Sequence, residues 1–549
     1  MHIKLNNISY SHPNKEILFK ELNFSIADNK TGLIGDNGSG KTTLLKIIAG
    51  KLRPDEGSVS AGGNITVFPQ DFSAYNNMTL AEVLSVKEKL YALEKILNGE
   101  STQDDYDILN NEWDLHERIK EIFEEAKLQN FNLNRNFSTL SGGEKSRLLF
   151  ASLLLNNPDF ALLDEPTNHL DRESRSILYS MIKNYKRGLL IISHDRKLLN
   201  LMEEINELSD KGIKTYGGNY DFYKEQKEIE TEASLAAYNS LQLQYTKAVK
   251  EKNKTIEKQE RRTAKGKKRN ILIGMDKAEM DYMKENAMRT FSKLKHSHTQ
   301  KTESLKNRLQ EAKENLDNSN SIIVDVNAVN IHSRKIILEV KELNFRFQNS
   351  EEFLWKENIN FTISGSERWS IAGVNGSGKS VLLKLILNKF NPSEGESEGE
   401  IKLNSDRVVF LDQAVEILDG GLTVFENLKK FSKENPGNEI PEHELRIKLG
   451  RFLFRGEDAF KKVSDLSGGE KMRAGLACIL AAGSAPELLI LDEPSNNLDL
   501  KSIKELTAAL NQYNGALLVV SHDEDFLDDI EVNKQLLISR DEKHKLMIP

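Results

Sequence analysis

Gly35-Asp36-Asn37-Gly38-Ser39-Gly40-Lys41-Thr42 returns as Gly373-Val374-Asn375-Gly376-Ser377-Gly378-Lys379-Ser380, an offset of 379 − 41 = 338. Glycines at this spacing let backbone N–H groups close around phosphate oxygens, and the helix that follows offers the positive end of its dipole. Lys41 and Lys379 are placed to hold β/γ-phosphates. Thr42, followed by Thr43, and Ser380 would offer a hydroxyl to Mg2+. Thr31-Gly32-Leu33-Ile34 and Trp369-Ser370-Ile371-Ala372 read as short strands entering the loops, and Leu44-Leu45-Lys46-Ile47 and Leu382-Leu383-Lys384-Leu385 as helices leaving them. A chance match occurs once in a chain; two in one frame do not.

Outward from the loops the repetition continues. Leu140-Ser141-Gly142-Gly143-Glu144 returns as Leu466-Ser467-Gly468-Gly469-Glu470 (467 − 141 = 326), Leu163-Asp164-Glu165-Pro166 as Leu491-Asp492-Glu493-Pro494 (492 − 164 = 328), and Ser193-His194-Asp195 as Ser521-His522-Asp523 (522 − 194 = 328). Landmarks in one order at nearly one offset mean a tandem duplication. The predicted fold class is α/β: two tandem phosphate-loop domains, 1–223 and 336–549, joined by a long helical coiled-coil hairpin at 224–320. Gln70 to Ser141 spans 71 positions and Gln413 to Ser467 spans 54, so the first copy carries 71 − 54 = 17 extra residues. That insertion, near 85–127, is helical in pattern and mostly acidic, which suits a solvated helix pair or a docking arm.

Each copy carries the same chemistry. Phe160-Ala161-Leu162-Leu163 and Leu488-Leu489-Ile490-Leu491 are buried-strand runs ending in adjacent acids. Asp164 or Asp492 would reach Mg2+ through water, and Glu165 or Glu493 would orient the attacking water. His194 and His522 end further strands, where they would sense or stabilise charge on a γ-phosphate. Ser followed by Gly-Gly at a helix start offers an anion a hydroxyl and backbone donors.

Composition narrows the function classes. The chain has 549 residues, 38% hydrophobic and 29% charged, too many for one core, since cores stop growing near ~250–300 residues. No apolar run approaches the ~18–20 residues of a membrane span, and the start lacks the plan of a signal peptide. The single Cys478 excludes a disulfide framework and a cysteine metal site, which points to a reducing, cytoplasmic compartment. Between the copies apolar residues fall three and four apart, as at Tyr238, Leu241, Tyr245 and Val249 and again at Leu305, Leu309, Ala312 and Leu316. This predicts two antiparallel helices of about 40 residues, each ~60 Å long, turning near 264–274. Residues 247–308 hold 19 Lys+Arg against 8 Asp+Glu, a net of +11, so the rest of the chain carries −8 − 11 = −19. Six cations fall within 261–269 with no acid. Like charges so close repel, which argues for a polyanionic partner.

Phosphate loop, Gln after a strand, Leu-Ser-Gly-Gly-Glu, Leu-Asp-Glu-Pro and Ser-His-Asp, in this order in both copies, resemble the ATP-binding-cassette superfamily. The resemblance implies two cassettes sandwiching two ATP molecules head to tail. Site one would combine Gly35, Asp36, Asn37, Gly38, Ser39, Gly40, Lys41, Thr42, Thr43, Gln70, Asp164, Glu165 and His194 with Ser467 and Gly469. Site two would combine Gly373, Val374, Asn375, Gly376, Ser377, Gly378, Lys379, Ser380, Gln413, Asp492, Glu493 and His522 with Ser141 and Gly143. In each, hydroxyl, Gln and Asp would serve Mg2+. Phe347 would stack on adenine in the second half; in the first, Tyr10 and His12 share a strand face and the choice stays open. Thr167-Asn168-His169-Leu170-Asp171 becomes Ser495-Asn496-Asn497-Leu498-Asp499 in the second copy, a departure that would make the sites unequal.

Two cassettes in one chain, the helical linker, Tyr216-Gly217-Gly218-Asn219-Tyr220 before it, and Ile271-Leu272-Ile273-Gly274-Met275 after its Arg-rich helix resemble the ABC-F family. This implies a cytosolic ATPase, monomeric with its cassettes paired internally, that binds the ribosome when loaded with ATP. Its linker would meet tRNA and rRNA near the peptidyl-transferase centre, in a translation factor or an antibiotic ribosomal-protection protein. The alternative, an ATP-binding subunit of a transporter with a separate membrane partner, leaves the basic linker idle. Chromosome-organising ATPases commonly split phosphate loop and Asp-Glu strand across their coil, whereas here each half holds both.

Overall fold

The structure, a computed structural model, describes residues 2–12, 17–69, 72–128, 132–168, 170–273, 277–316, 331–348, 350–390, 393–434, 440–483, 485–539 and 545–547. The chain forms two compact units: Met1–Phe222 with Ser321–Pro549, and Tyr223–Asn320.

In the larger unit one plan occurs twice. The first half runs β1 (Ile3–Ser11), β2 (Ile17–Ile26), β3 (Lys30–Ile34), α1 (Lys41–Ile48), β4 (Glu56–Ala61), β5 (Ile65–Phe68), α2 (Leu80–Val83), α3 (Lys87–Asn98), α4 (Gln103–Leu109), α5 (Leu115–Glu125), α6 (Gly142–Asn156), β6 (Phe160–Asp164), α7 (Arg172–Asn184), β7 (Gly188–Ile192), α8 (Arg196–Leu199), β8 (Glu204–Ser209) and β9 (Gly212–Gly217). Helices α9 (Tyr220–Ile273) and α10 (Lys277–Leu316) follow. The second half then runs β10 (Ile336–Phe347), β11 (Ile359–Ser364), β12 (Arg368–Ala372), α11 (Lys379–Ile386), β13 (Gly395–Leu403), β14 (Val408–Leu411), α12 (Val424–Glu434), α13 (Glu442–Arg451), α14 (Gly468–Ala481), β15 (Leu488–Asp492), α15 (Leu500–Asn511), β16 (Ala516–Val520), α16 (Glu524–Asp529), β17 (Lys534–Leu537) and β18 (Lys545–Met547).

The central sheets are ordered β5-β6-β7-β3-β8-β9 and β14-β15-β16-β12-β17-β18, parallel except for the last strand of each. Their inner strands are apolar runs buried throughout, because helices cover both faces of a parallel sheet. Pairing register decides where the chemistry emerges. Leu33 and Asp164 both lie opposite Ile192, and Ile371 and Asp492 both lie opposite Val520. The phosphate loop, the acidic pair and the histidine turn of each half therefore leave the sheet at the same carboxyl edge.

Smaller antiparallel sheets, β2-β1-β4 and β11-β10-β13, flank these. Asn7 (φ 49°) in β1 and Glu342 (φ 48°) in β10 make the same left-handed kink, an offset of 342 − 7 = 335. Tyr10 is thereby equivalent to Phe345, which is fully buried, and His12 to Phe347, which is 41% exposed. Tyr10 packs against the core cluster of its half, so the outward position of the first half is held by His12.

Two expectations need correction. The 85–127 insertion holds three helices, α3 to α5, rather than a pair: Gly99 (φ 76°) ends α3, and Thr102 with Asp105 forms a capping box that starts α4. In the linker, 264–273, expected within the turn near 264–274, is helix. α9 continues to Ile273 because that stretch is mostly Lys, Arg, Ile and Leu, against which Gly266 costs only about 1 kcal/mol. α9 is 54 residues long and α10 is 40. Within this unit Ala248, Thr302 and Leu305 are buried. No helix among the described residues is long and apolar enough to cross a membrane.

Candidate active site

The loops are held by packing as well as by glycine. Gly40 (φ 95°) and Gly378 (φ 97°) immediately precede α1 and α11. A Cβ on Gly378 would lie 2.7 Å from Leu354 and 2.9 Å from Trp355 Nε1, and one on Gly40 would lie 2.6 Å from Phe19. Trp355 Nε1 also donates to the Ser377 carbonyl (2.8 Å). Lys41 Nζ donates to the carbonyls of Gly35 (2.7 Å) and Asp36 (3.0 Å), and Lys379 Nζ to those of Gly373 (2.8 Å) and Val374 (3.2 Å). Burial pulls both ammonium pKa values down against the acids around them. Ser39 Oγ and Ser377 Oγ are buried without a hydrogen-bond partner in the protein, which fits a loop built to receive phosphate oxygens.

Asp164 accepts a hydrogen bond from the Thr42 hydroxyl, and burial raises its pKa and that of Asp492. Glu165 and Glu493, the next residues, both adopt φ 47°, a left-handed strain of about 1–3 kcal/mol for a residue with a side chain. Their N–H groups bond across the sheet to Ile192 O (2.9 Å) and Val520 O (2.8 Å). Burial, chiefly, pushes Glu165 up to about 8 and Glu493 up to about 7. His194 Nε2 lies 3.4 Å from Glu165 Oε1, and His522 Nε2 lies 3.4 Å from Glu493 Oε1. These contacts are not ion pairs at neutral pH, because burial pulls both imidazoles down, His522 to about 4. A carboxyl poised near neutrality exchanges a proton with water at small cost.

The halves interlock at these loops. Asp499 caps α15 through the Ser502 N–H (2.7 Å), and its other oxygen accepts the N–H of Asn37 in the opposite phosphate loop (2.6 Å). Asp171 does the same, capping α7 at Ser174 (2.9 Å) and reaching Asn375 N (3.0 Å). Asn37 Nδ2 donates to Asn497 O (3.0 Å), and Asn168 Nδ2 to Asn497 Oδ1 (3.3 Å). Ser141 and Ser467 cap α6 and α14 in capping boxes with Glu144 and Glu470. A Cβ on Gly143 or Gly469 would lie 2.3 Å from Ser174 Oγ or Ser502 Oγ. Each signature helix thus abuts the helix whose capping aspartate holds the other half's loop. This is a head-to-tail pairing.

The contact carries charge as well. Arg196 meets Asp529 (2.5 Å), and Arg172 and Lys197 both pair with Glu524. In these three pairs the cations come from the first half and the acids from the second, whereas Lys501 with Asp36 (3.6 Å) runs the other way. Arg196 and Glu524 are equivalent positions (524 − 196 = 328).

Of the residues expected from sequence, both loops, both acid pairs and both histidines gather at the sheet edges. Gln413 is exposed just beyond β14; Gln70 and His169 lie outside the described residues. Asp171 and Asp499 were not singled out as site residues. Their signal was the shared Leu-Asp ending two pentads that otherwise differ.

Comparison with known proteins agrees with this geometry. The family model described as "ABC transporter" matches residues 19–168 and 356–496. "ABC transporter F family member 5" of Arabidopsis thaliana is 30% identical over 560 residues, covering 96% of this chain and 74% of that one. "ATP-binding protein Uup" of Haemophilus influenzae is 29% identical over 520 residues, covering 90% and 72%. The archaeal ribosome recycling factor aABCE1, solved with the ribosomal stalk protein aP1, shares the fold at 20% identity, TM-score 0.53, over 98% of this chain and 89% of that one. With two phosphate loops, two acid-ended strands and two interlocked halves, the chain belongs to the F family of ATP-binding-cassette proteins and is an ATP hydrolase.

Proposed function

We propose that this ATPase acts in the cytoplasm on the ribosome, which it binds in the ATP-loaded state, as a translation factor or an antibiotic ribosomal-protection protein. The carrying observation is the excess of +11 in residues 247–308, set on two long helices between cassettes that are otherwise acidic. A polyphosphate partner accounts for that charge through counterion release. Folded RNA, in the form of tRNA and rRNA near the peptidyl-transferase centre, is the partner it suits. The structural relative named as a ribosome recycling factor supports the same direction.

At each site the loop N–H groups and Lys41 or Lys379 bind phosphate, and Asn37 or Asn375 is steadied by the opposite aspartate. Glu165 and Glu493 hold the attacking water, and His194 and His522 fix those carboxyls. Mg2+ fits the chemistry here. The Thr42 hydroxyl and Asp164 carboxylate are already paired, with Ser380 and Asp492 at the equivalent positions and Gln413 just beyond β14. Among the described residues no group of three His, Cys, Asp or Glu forms a self-sufficient cage, so the ion would share its shell with phosphate and water, as Mg2+ does. Bound there, it would neutralise charge on the phosphates.

The test is ribosome pelleting with the Glu165→Gln plus Glu493→Gln protein and ATP. Co-sedimentation that falls steeply between 50 and 200 mM salt, by about a hundredfold or more, is expected. Absence of ATP-dependent co-sedimentation overturns the proposal. Membrane co-purification that survives deletion of residues 247–308 would instead favour the transporter subunit.

A further inference from the structure

The duplication breaks at one buried position between the two histidine turns. Arg175, on α7, is 13% exposed at its side chain. Its Nε donates to Leu170 O (3.1 Å), beside the aspartate that holds Asn375. Its Nη1 lies 3.8 Å from Asp195 Oδ2, next to His194, and donates to the backbone carbonyl of His522 in the other half (3.4 Å). Tyr179 Oη donates to the same Asp195 oxygen (2.5 Å). One guanidinium therefore touches the turns of both sites.

At the equivalent positions the second copy differs. The positions equivalent to Arg175 and Tyr179 are Ile503 and Thr507 (175 + 328 and 179 + 328). Ile503 is buried in its own core, and Thr507 Oγ1 is buried without a hydrogen-bond partner. The first site thus receives no arginine from the opposite half at this place. Arg175 also holds the Glu493 carboxyl down against the burial that raises it, which agrees with the geometry.

We infer that Arg175 is a one-sided positioning residue, fixing the His522 turn of the second site from the first half and tying it to the Asp195 turn of the first site. Hydrolysis at the second site then depends on a residue whose own supports belong to the first. At this place the first site has no matching arginine contact, because Ile503 occupies the equivalent position. The inference rests on Glu165 and Glu493 as the hydrolytic carboxyls of their sites.

The experiment uses the full-length chain. ATP hydrolysis is measured against ATP concentration in Glu165→Gln protein, where the second site works, and in Glu493→Gln protein, where the first works, each with and without Arg175→Ile. With the charged hydrogen bond removed, kcat should fall about tenfold or more in the Glu165→Gln background. There KM should change less than about twofold, the mark of an interaction made only in the transition state. In the Glu493→Gln background the loss should be clearly smaller, because there Arg175 reaches only Asp195, at 3.8 Å and alongside the Tyr179 hydrogen bond, and the activity that remains shows that Arg175→Ile protein folds. Arg175→Lys should restore part of the loss. Equal losses in both backgrounds, or none in either, overturn the inference. Should either glutamate variant alone leave hydrolysis unchanged, the site assignment fails, and Arg175 is judged in the parent chain, where an unchanged kcat for Arg175→Ile refutes its role.

Discussion

Asp499→Ala tests whether the interlocked loops hold the closed state. The carboxylate makes two short bonds, one inside its own half to Ser502 N (2.7 Å) and one across to Asn37 N (2.6 Å). Losing the first removes a helix cap, about 1 kcal/mol of stability in the second half whether open or closed. Losing the second removes a charged acceptor from a part-buried N–H, about 1.5–3 kcal/mol, and only when the halves are together. The closure equilibrium should therefore weaken about 10- to 150-fold. Asp499→Asn keeps a neutral acceptor and should lose about half of that free energy, since charge roughly doubles such a bond. The assay is energy transfer between one dye on each half, titrated with ATP in Glu165→Gln plus Glu493→Gln protein so that hydrolysis does not reopen it. A closure midpoint within about twofold of the parent protein would refute the reasoning. So would an equal effect from Asp499→Asn and Asp499→Ala.

Other outcomes follow from the same geometry. Gly376→Ala meets open space at φ 80°, whereas Gly378→Ala also drives Cβ to 2.7 Å from Leu354; the first should cost about 1–2 kcal/mol and the second distinctly more, read from urea unfolding midpoints. Lys335 (2.5 Å) and Arg407 (2.7 Å) hold the Glu487 pKa down to about 2 from 4.5. Its folded value being depressed, its stabilisation is full above pH 4.5 and is lost as pH falls toward 2. Glu487→Gln should thus cost about 1–2 kcal/mol at pH 7 and progressively less below pH 4.5, measured by urea unfolding across that range. Cys478 is buried in α14 and its thiol pKa is raised by burial, so a disulfide-exchange reagent should react only as fast as the chain opens.

The local pieces were legible because each is local. A strand, a glycine loop and a helix start lie within about a dozen residues, and duplication printed every one of them twice. Sequence did not show what holds the loops from outside: Asp499 and Asn37 are 462 positions apart, and no periodicity spans that distance. The adenine position was ambiguous because Tyr10 and His12 share a strand face; the left-handed kink at Asn7, matched at Glu342, aligns the copies and makes His12 the counterpart of Phe347. The first linker helix was ended too early because a cluster of cations looks like a tip, although Lys and Arg extend a helix well. The third helix of the insertion came from Thr102 and Asp105, a capping box inside an otherwise acidic run.

Opposite charge at Arg196 and Glu524, two positions descended from one, bears on what duplication has made irreversible. Two first halves placed face to face would set Arg196 and Lys197 against their own kind, and two second halves would oppose Glu524 and Asp525 in the same way. At these pairs neither cassette would find a complementary partner in a second copy of itself. The ancestral symmetry survives in the fold and in the aspartates that grip the opposite loops, but not in these charge pairs, where the two copies meet as unlike mates.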